Sequence, residues 1–143
     1  MKKFNFSLQK VLDLREFDEK QAKEELGRVI SISNKLNAEL QQLAVDRTSA
    51  RNTSCSLGSI NDFVAMEQYV TRLDNRKEQV LVELAENELL IEQKRKLFAE
   101  AMQNRKVITK LKEKKQKEWK MQNLREEESI TDDIANSRKS EIF

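Results

Sequence analysis

Residues 59–143 read SINDFVAMEQYVTRLDNRKEQVLVELAENELLIEQKRKLFAEAMQNRKVITKLKEKKQKEWKMQNLREEESITDDIANSRKSEIF, 85 positions without a Gly or a Pro. The chain has no Pro at all and only two Gly, so nothing in this stretch breaks a helical pattern. Charged residues make up 36% and aromatics 6%, which suits long helices that bury a narrow stripe and leave the rest in water. A compact bundle of this length needs several turns, and only residues 51–58 (RNTSCSLG) cluster turn-type side chains. The expectation is an all-α fold, with two long helices in an antiparallel coiled-coil hairpin and the second extending beyond the first. Its parts, within a single domain over 1–143, are a helix over 4–50, a turn over 51–59, a helix over 60–136 and a frayed tail over 137–143.

Each helix carries an apolar seam at heptad spacing. In the first the a/d positions are Leu8, Leu12, Arg15, Glu19, Ala22, Leu26, Val29, Ser33, Leu36, Leu40, Leu43, Arg47 and Ala50, of which nine in thirteen are apolar. In the second they are Phe63, Met66, Val70, Leu73, Lys77, Val80, Leu84, Asn87, Ile91, Lys94, Phe98, Ala101, Arg105 and Ile108. Ser59, with Asp62 three positions on, reads as the cap of that helix. A short turn favours a register in which facing residue numbers add to 113, with Leu40 opposite Leu73, Val29 opposite Leu84, Ala50 opposite Phe63 and Glu19 opposite Lys94. That register leaves two mismatches, Leu36 with Lys77 and Leu26 with Asn87. A slide of one heptad, to 120, pairs Ser33 with Asn87 and lengthens the turn. The first register leaves residues 110–136 unpaired, an overhang of about 40 Å. Gly27 falls at an exposed position and costs about 1 kcal/mol relative to Ala.

Composition narrows the function. The 27 basic and 25 acidic residues nearly cancel, so the placement of charge matters more than its total. No His is present, which removes the commonest metal ligand and the commonest general base at neutral pH. No pocket-forming or Gly-rich motif accompanies the paired carboxylates Asp132–Asp133 or Glu126–Glu128, so no enzyme, cofactor or metal site is expected. The longest apolar run, Leu89 to Ile91, is far below the roughly 20 residues of a membrane span, and the first residues lack the apolar core of a signal peptide. A cytoplasmic protein that reaches the membrane only through partners is the expectation. Cys55 reads as an exposed loop thiol.

Two stretches could carry contacts. Between Arg105 and Arg125 stand nine basic residues against only Glu113 and Glu118. Lys110, Lys112, Lys115, Trp119 and Lys120 are the candidates there for docking an acidic protein partner. A solvated helix with i,i+4 pairs is the plainer reading, and Trp119 alone offers too little stacking for a nucleic-acid binder. Past the turn, Tyr69, Leu73, Arg76 and Val80 share one helical stripe, although Leu73 and Val80 also belong to the seam. A parallel homodimeric scaffold and a basic nucleic-acid-binding helix stay open beside the hairpin.

The segments FNFSLQKVLDLRE (residues 4–16), KLKEKKQKEW (residues 110–119) and DDIANSRK (residues 132–139), in that order, resemble the FliJ family of the bacterial flagellar type III export apparatus. The resemblance spans nearly the whole chain. It implies a non-enzymatic antiparallel coiled coil similar to the gamma-subunit stalk of rotary ATPases. It also implies three partners: the hexameric flagellar export ATPase, whose ring it helps assemble, the membrane export-gate protein, and substrate-escort chaperones. No nucleic acid is implied. By this resemblance the terminal end enters the ATPase ring, and a gate-binding stripe falls on Tyr69, Leu73, Arg76 and Val80. Arg76 stands where a small apolar residue is expected.

Overall fold

The computed structural model describes residues 3–54, 56 and 58–142. Two helices make up the fold, α1 over Gln9–Ser54 and α2 over Ile60–Ile142. They pack against each other as an all-α hairpin with the second helix the longer, and cross-helix pairs show the antiparallel sense: as α1 numbers fall through Arg47, Glu39 and Glu25, their α2 partners rise through Asp74, Arg76 and Lys94. The chain divides into two compact units, one of Gln21–Ala99 and one of Met1–Lys20 with Glu100–Phe143. Cys55 lies outside the described residues.

The helix ends differ from the expected ones for local reasons. Residues 3–6 are not helical. Phe6 is buried instead, and the first bonds run from the Gln9 amide to the Phe6 carbonyl (3.2 Å) and from the Leu12 amide to the Leu8 carbonyl (2.9 Å). At the other end, α1 absorbs residues 51–54, which had read as a turn. Hydroxyls there bond back to helix carbonyls, Thr53 Oγ1 to Ser49 (2.9 Å) and Ser54 Oγ to Arg51 (2.8 Å), so Ser and Thr ride the helix without competing with it. The Ser59 carbonyl accepts the first α2 bond, from the Phe63 amide at 3.1 Å, as an N-cap residue does. Helix α2 then continues to Ile142, through the stretch expected to fray.

The seams hold nearly as read. In the unit Gln21–Ala99, Val29, Ala50, Val70, Leu73 and Val80 are buried, while Phe63 and Lys77 are not. The register, however, is the longer-turn one. Arg47 Nε meets Asp74 Oδ1 at 2.8 Å, Asn87 Nδ2 donates to the Val29 carbonyl at 3.0 Å, and Lys94 lies 3.8 Å from Glu25. Arg47–Asp74, Arg51–Glu67 and Glu25–Lys94 have sums of 121, 118 and 119, and Val29–Asn87 falls between the two registers at 116, so the preferred 113 is overturned; Glu19 takes Arg105 and not Lys94. The polar pair explains the choice. Ser33 and Asn87 are both buried, and the 120 register sets them in one layer where the amide finds an acceptor. The same slide matches Leu36 to Leu84 and Leu26 to Lys94, whose stem can line the seam with its ammonium held out to Glu25. A buried Asn fixing register at some cost in stability is a familiar coiled-coil device.

Candidate protein-binding surfaces

The basic segment is less free than its sequence suggests. In the unit of Met1–Lys20 and Glu100–Phe143, the Arg105 guanidinium bonds Glu19, and Lys112 Nζ donates to Gln9 Oε1 at 2.7 Å. Phe4 lies against Trp119 with ring centroids 5.9 Å apart and planes tilted by 57°, inside the range of favourable aromatic pairs. The expected overhang from Lys110 is therefore corrected: the N-terminal segment follows α2 as far as Trp119. Of the five candidates, Lys112 and Trp119 are half-buried in these contacts, whereas Lys110, Lys115 and Lys120 are exposed. Lys115 makes only a local pair with Glu118 at 3.7 Å. Beyond Trp119, every residue from Lys120 to Ser140 is exposed except the half-buried Asn123. Exposed Met121, Leu124, Ile130 and Ile134 alternate along this helix with its charges.

The stripe past the turn comes apart in the same way. Val80 is fully buried and Leu73 is buried, so both belong to the core of the unit Gln21–Ala99. Arg76 is held by Glu39 through two bonds of 2.6 and 3.0 Å, and it also reaches Glu83 at 3.5 Å. That two-pronged contact lowers the Glu39 carboxyl below its ordinary range, chiefly through the hydrogen bond from Arg76. Arg76 thus closes the edge of the helix pair where a small apolar residue would leave it open. Tyr69 is the member that faces outward, with the Arg72 guanidinium 5.9 Å from its ring centre. It borders an open groove of about 600 Å³ lined also by Asp46, Ala50, Asp62 and Met66. Sequence reading missed the neighbouring apolar cluster of Ile60, Phe63 and Val64, which is exposed because the register carries the first turn of α2 past its partner seam. The placement of Phe63 on the seam hid it.

Among the described residues no helix is long and apolar enough to cross a membrane, and no group of three His, Cys, Asp or Glu could hold a metal ion. An antiparallel helix pair whose outward features are a charged terminal helix and an open groove bordered by Tyr69 defines a helical interaction protein. A family model described as the flagellar FliJ protein matches residues 4–140, and the chain belongs to that family. It is thereby a component of the flagellar export system, in a family that is non-catalytic and works through protein partners. Comparison with curated proteins and with solved structures gives no significant match.

Proposed function

We propose that this chain is the stalk of the flagellar export ATPase. It engages the hexameric ring through the exposed terminal part of α2 from Lys115 onward and couples it to the membrane export gate through the surface around Tyr69. On this reading it works in the cytoplasm, at the inner face of the membrane, and also meets the chaperones that escort substrates. The observation that carries the reading is the exposure of Lys120 to Ser140 on every side of one helix. A single helix is about 10–12 Å across, narrower than a helix pair, and suits a ring pore. Its charges sit on a surface where ion pairs are individually weak, so the stalk can seat without locking and the ring can cycle.

The test separates binding from folding. Lys115→Glu with Lys120→Glu should leave the melting temperature nearly unchanged, since exposed substitutions rarely move stability by more than about 0.5 kcal/mol. The pair should weaken assembly and stimulation of the purified ATPase hexamer. Lys112 is left intact because its contact to Gln9 belongs to the packing. In parallel, Tyr69→Ala should reduce binding to the export-gate protein and spare the ATPase. Full ring stimulation by the normally folded double variant would end the stalk assignment of this helix.

A further inference from the structure

Residues 78–93 of α2 (EQVLVELAENELLIEQ) contain five glutamates and no lysine or arginine. The stretch lies wholly within the unit Gln21–Ala99. Only Glu83 among the five is engaged in an ion pair; among the described residues Glu78, Glu86, Glu88 and Glu92 make none. The same stretch holds large apolar side chains in water. Val82 is 57% exposed and Leu89 65%, and Leu90 and, one turn beyond the stretch, Leu97 are exposed as well. They are not scattered. Val82 and Leu89 are seven positions apart, as are Leu90 and Leu97, so each pair is superposed on the helix to within about 20°. The two pairs lie about 80° apart round the helix and form one broad exposed face, with Val82 and Leu89 opposite the buried seam positions Val80 and Asn87, and with Leu90 and Leu97 nearer to that seam. Glu86 falls within it, and Glu78 and Glu92 lie along one flank.

We infer that this acidic, apolar-striped face of α2 is a docking surface for a basic amphipathic helix of another protein. Val82 with Leu89 and Leu90 with Leu97 make two short apolar rows side by side, a face broad enough to receive the apolar side of a second helix. The face is about 22 Å long, enough for four turns of a partner. Glu78, Glu86 and Glu92, none of them in an ion pair among the described residues, make this face acidic as far as Gln93, beyond which Lys94, Arg95 and Lys96 follow. Lysines or arginines flanking a partner's stripe would complement that acidic part, which favours encounter and orientation. An anionic lipid surface is repelled by the same charges. None of these residues belongs to the surfaces assigned above to the ATPase or the gate, so this inference stands or falls separately from them.

The probe is a fluorescent Lys/Leu peptide of about five helical turns with leucine at i, i+3, i+4 and i+7, compared by anisotropy with a scrambled peptide of identical composition. The full chain should bind the amphipathic peptide at least about tenfold more tightly than the scrambled one. Raising salt from about 50 to about 200 mM should weaken the binding. Val82→Gln with Leu89→Gln should cost about tenfold in affinity at unchanged helicity. Glu86→Gln with Glu92→Gln should cost several-fold and flatten the salt dependence. Equal binding of the two peptides would overturn the inference. So would an equal loss on Leu14→Gln with Phe17→Gln, an exposed apolar pair elsewhere on the chain. A doubled mass in light scattering that Leu89→Gln abolishes would give the face to a second copy of the chain and overturn the inference likewise.

Discussion

The unit Gln21–Ala99 and the unit formed by Met1–Lys20 with Glu100–Phe143 are built from the same two helices but hold together differently. The first contains Val29, Val70 and Val80 with no exposed surface to speak of, a buried Ser33–Asn87 layer, and four ion pairs that cross between helices. In the second, the buried apolar residues among those described are Phe6 and Leu12, and one cross-helix ion pair, Glu19–Arg105, sits on the seam itself. Past Lys112, the greater part of its α2 segment has no partner helix. The contrast teaches that similar Lys/Glu-rich sequence can serve two ends. A continuous seam with one polar layer fixes alignment, and a seam that turns ionic and then stops releases a helix for contact.

The sharpest way to break this comparison is at the register, where the outcome is a bridge or none. In a Cys55→Ser background, Val29→Cys with Ile91→Cys should oxidise to a disulfide within one chain. Val29→Cys with Leu84→Cys should not, because position 84 is displaced by seven residues, about 10 Å along the helix, beyond the roughly 7 Å between Cα atoms that a disulfide spans. Efficient bridging of 29 with 84 on non-reducing gels would restore the shorter-turn register and dissolve the Ser33–Asn87 layer.

The next effect is energetic. Leu73→Ala removes a buried side chain and should destabilise by about 2–5 kcal/mol. Leu124→Ala, on the exposed terminal helix, should stay within about 0.5 kcal/mol. Similar losses in denaturant melts of the two variants would mean that the terminal helix is packed in solution after all.

How much of this was legible follows from what each feature depends on. The two helices and the seam positions rest on local periodicity and on the absence of Pro, and both show in one reading of the chain. Register is a relation between two distant segments. A short turn favours one register and the buried Asn87 another; the amide needs an acceptor, whereas the turn can lengthen. The sequence 51–54 looked like a turn because Ser, Thr and Asn usually compete with helix backbones, but here the hydroxyls of Thr53 and Ser54 bond carbonyls of their own helix. For the site, a stripe such as Tyr69, Leu73, Arg76 and Val80 shares a face whether that face is core or surface, and only packing shows that Leu73 and Val80 point inward. Trp119 looks free in the sequence because a helix that starts at Phe4 and pairs in the shorter register reaches only to about residue 109, whereas residues 3–6 are not helical and Phe4 reaches Trp119.

A smaller effect runs in the opposite direction. Gly27 lies within α1, and a Cβ added there meets nothing within 4 Å. Gly27→Ala should therefore stabilise the protein by up to about 1 kcal/mol, through lower backbone entropy in the unfolded chain. A neutral or destabilising result would show that the helix needs its glycine for bending or for a partner that approaches its backbone.

The smallest expected effect lies in the ion pairs that set the two units apart. Glu39, Asp74 and Glu25 all belong to Gln21–Ala99, and all have carboxyls lowered below their ordinary values, in each case chiefly by a hydrogen bond from an arginine: Arg76, Arg47 and Arg28. A carboxyl whose folded pKa is depressed binds its proton less readily than in the unfolded chain. Its stabilising contribution is complete above the ordinary value, about 4.5 for Glu39, and is lost as pH falls through the lower folded value. These side chains remain well exposed, so solvent keeps the contribution modest. Acidification also protonates the other carboxylates and leaves 27 basic residues to repel one another, which lowers stability throughout the chain. The difference between wild type and Glu39→Gln removes that common part, because the amide keeps the shape and a neutral hydrogen bond while losing the charge. The wild type should melt slightly higher at neutral pH, and the gap should close as pH falls below the ordinary carboxylate range and through the lowered value of Glu39. A gap that persists unchanged at low pH would mean that Glu39 contributes through packing and not through its charge, and the ion pairs would then cease to distinguish the two units.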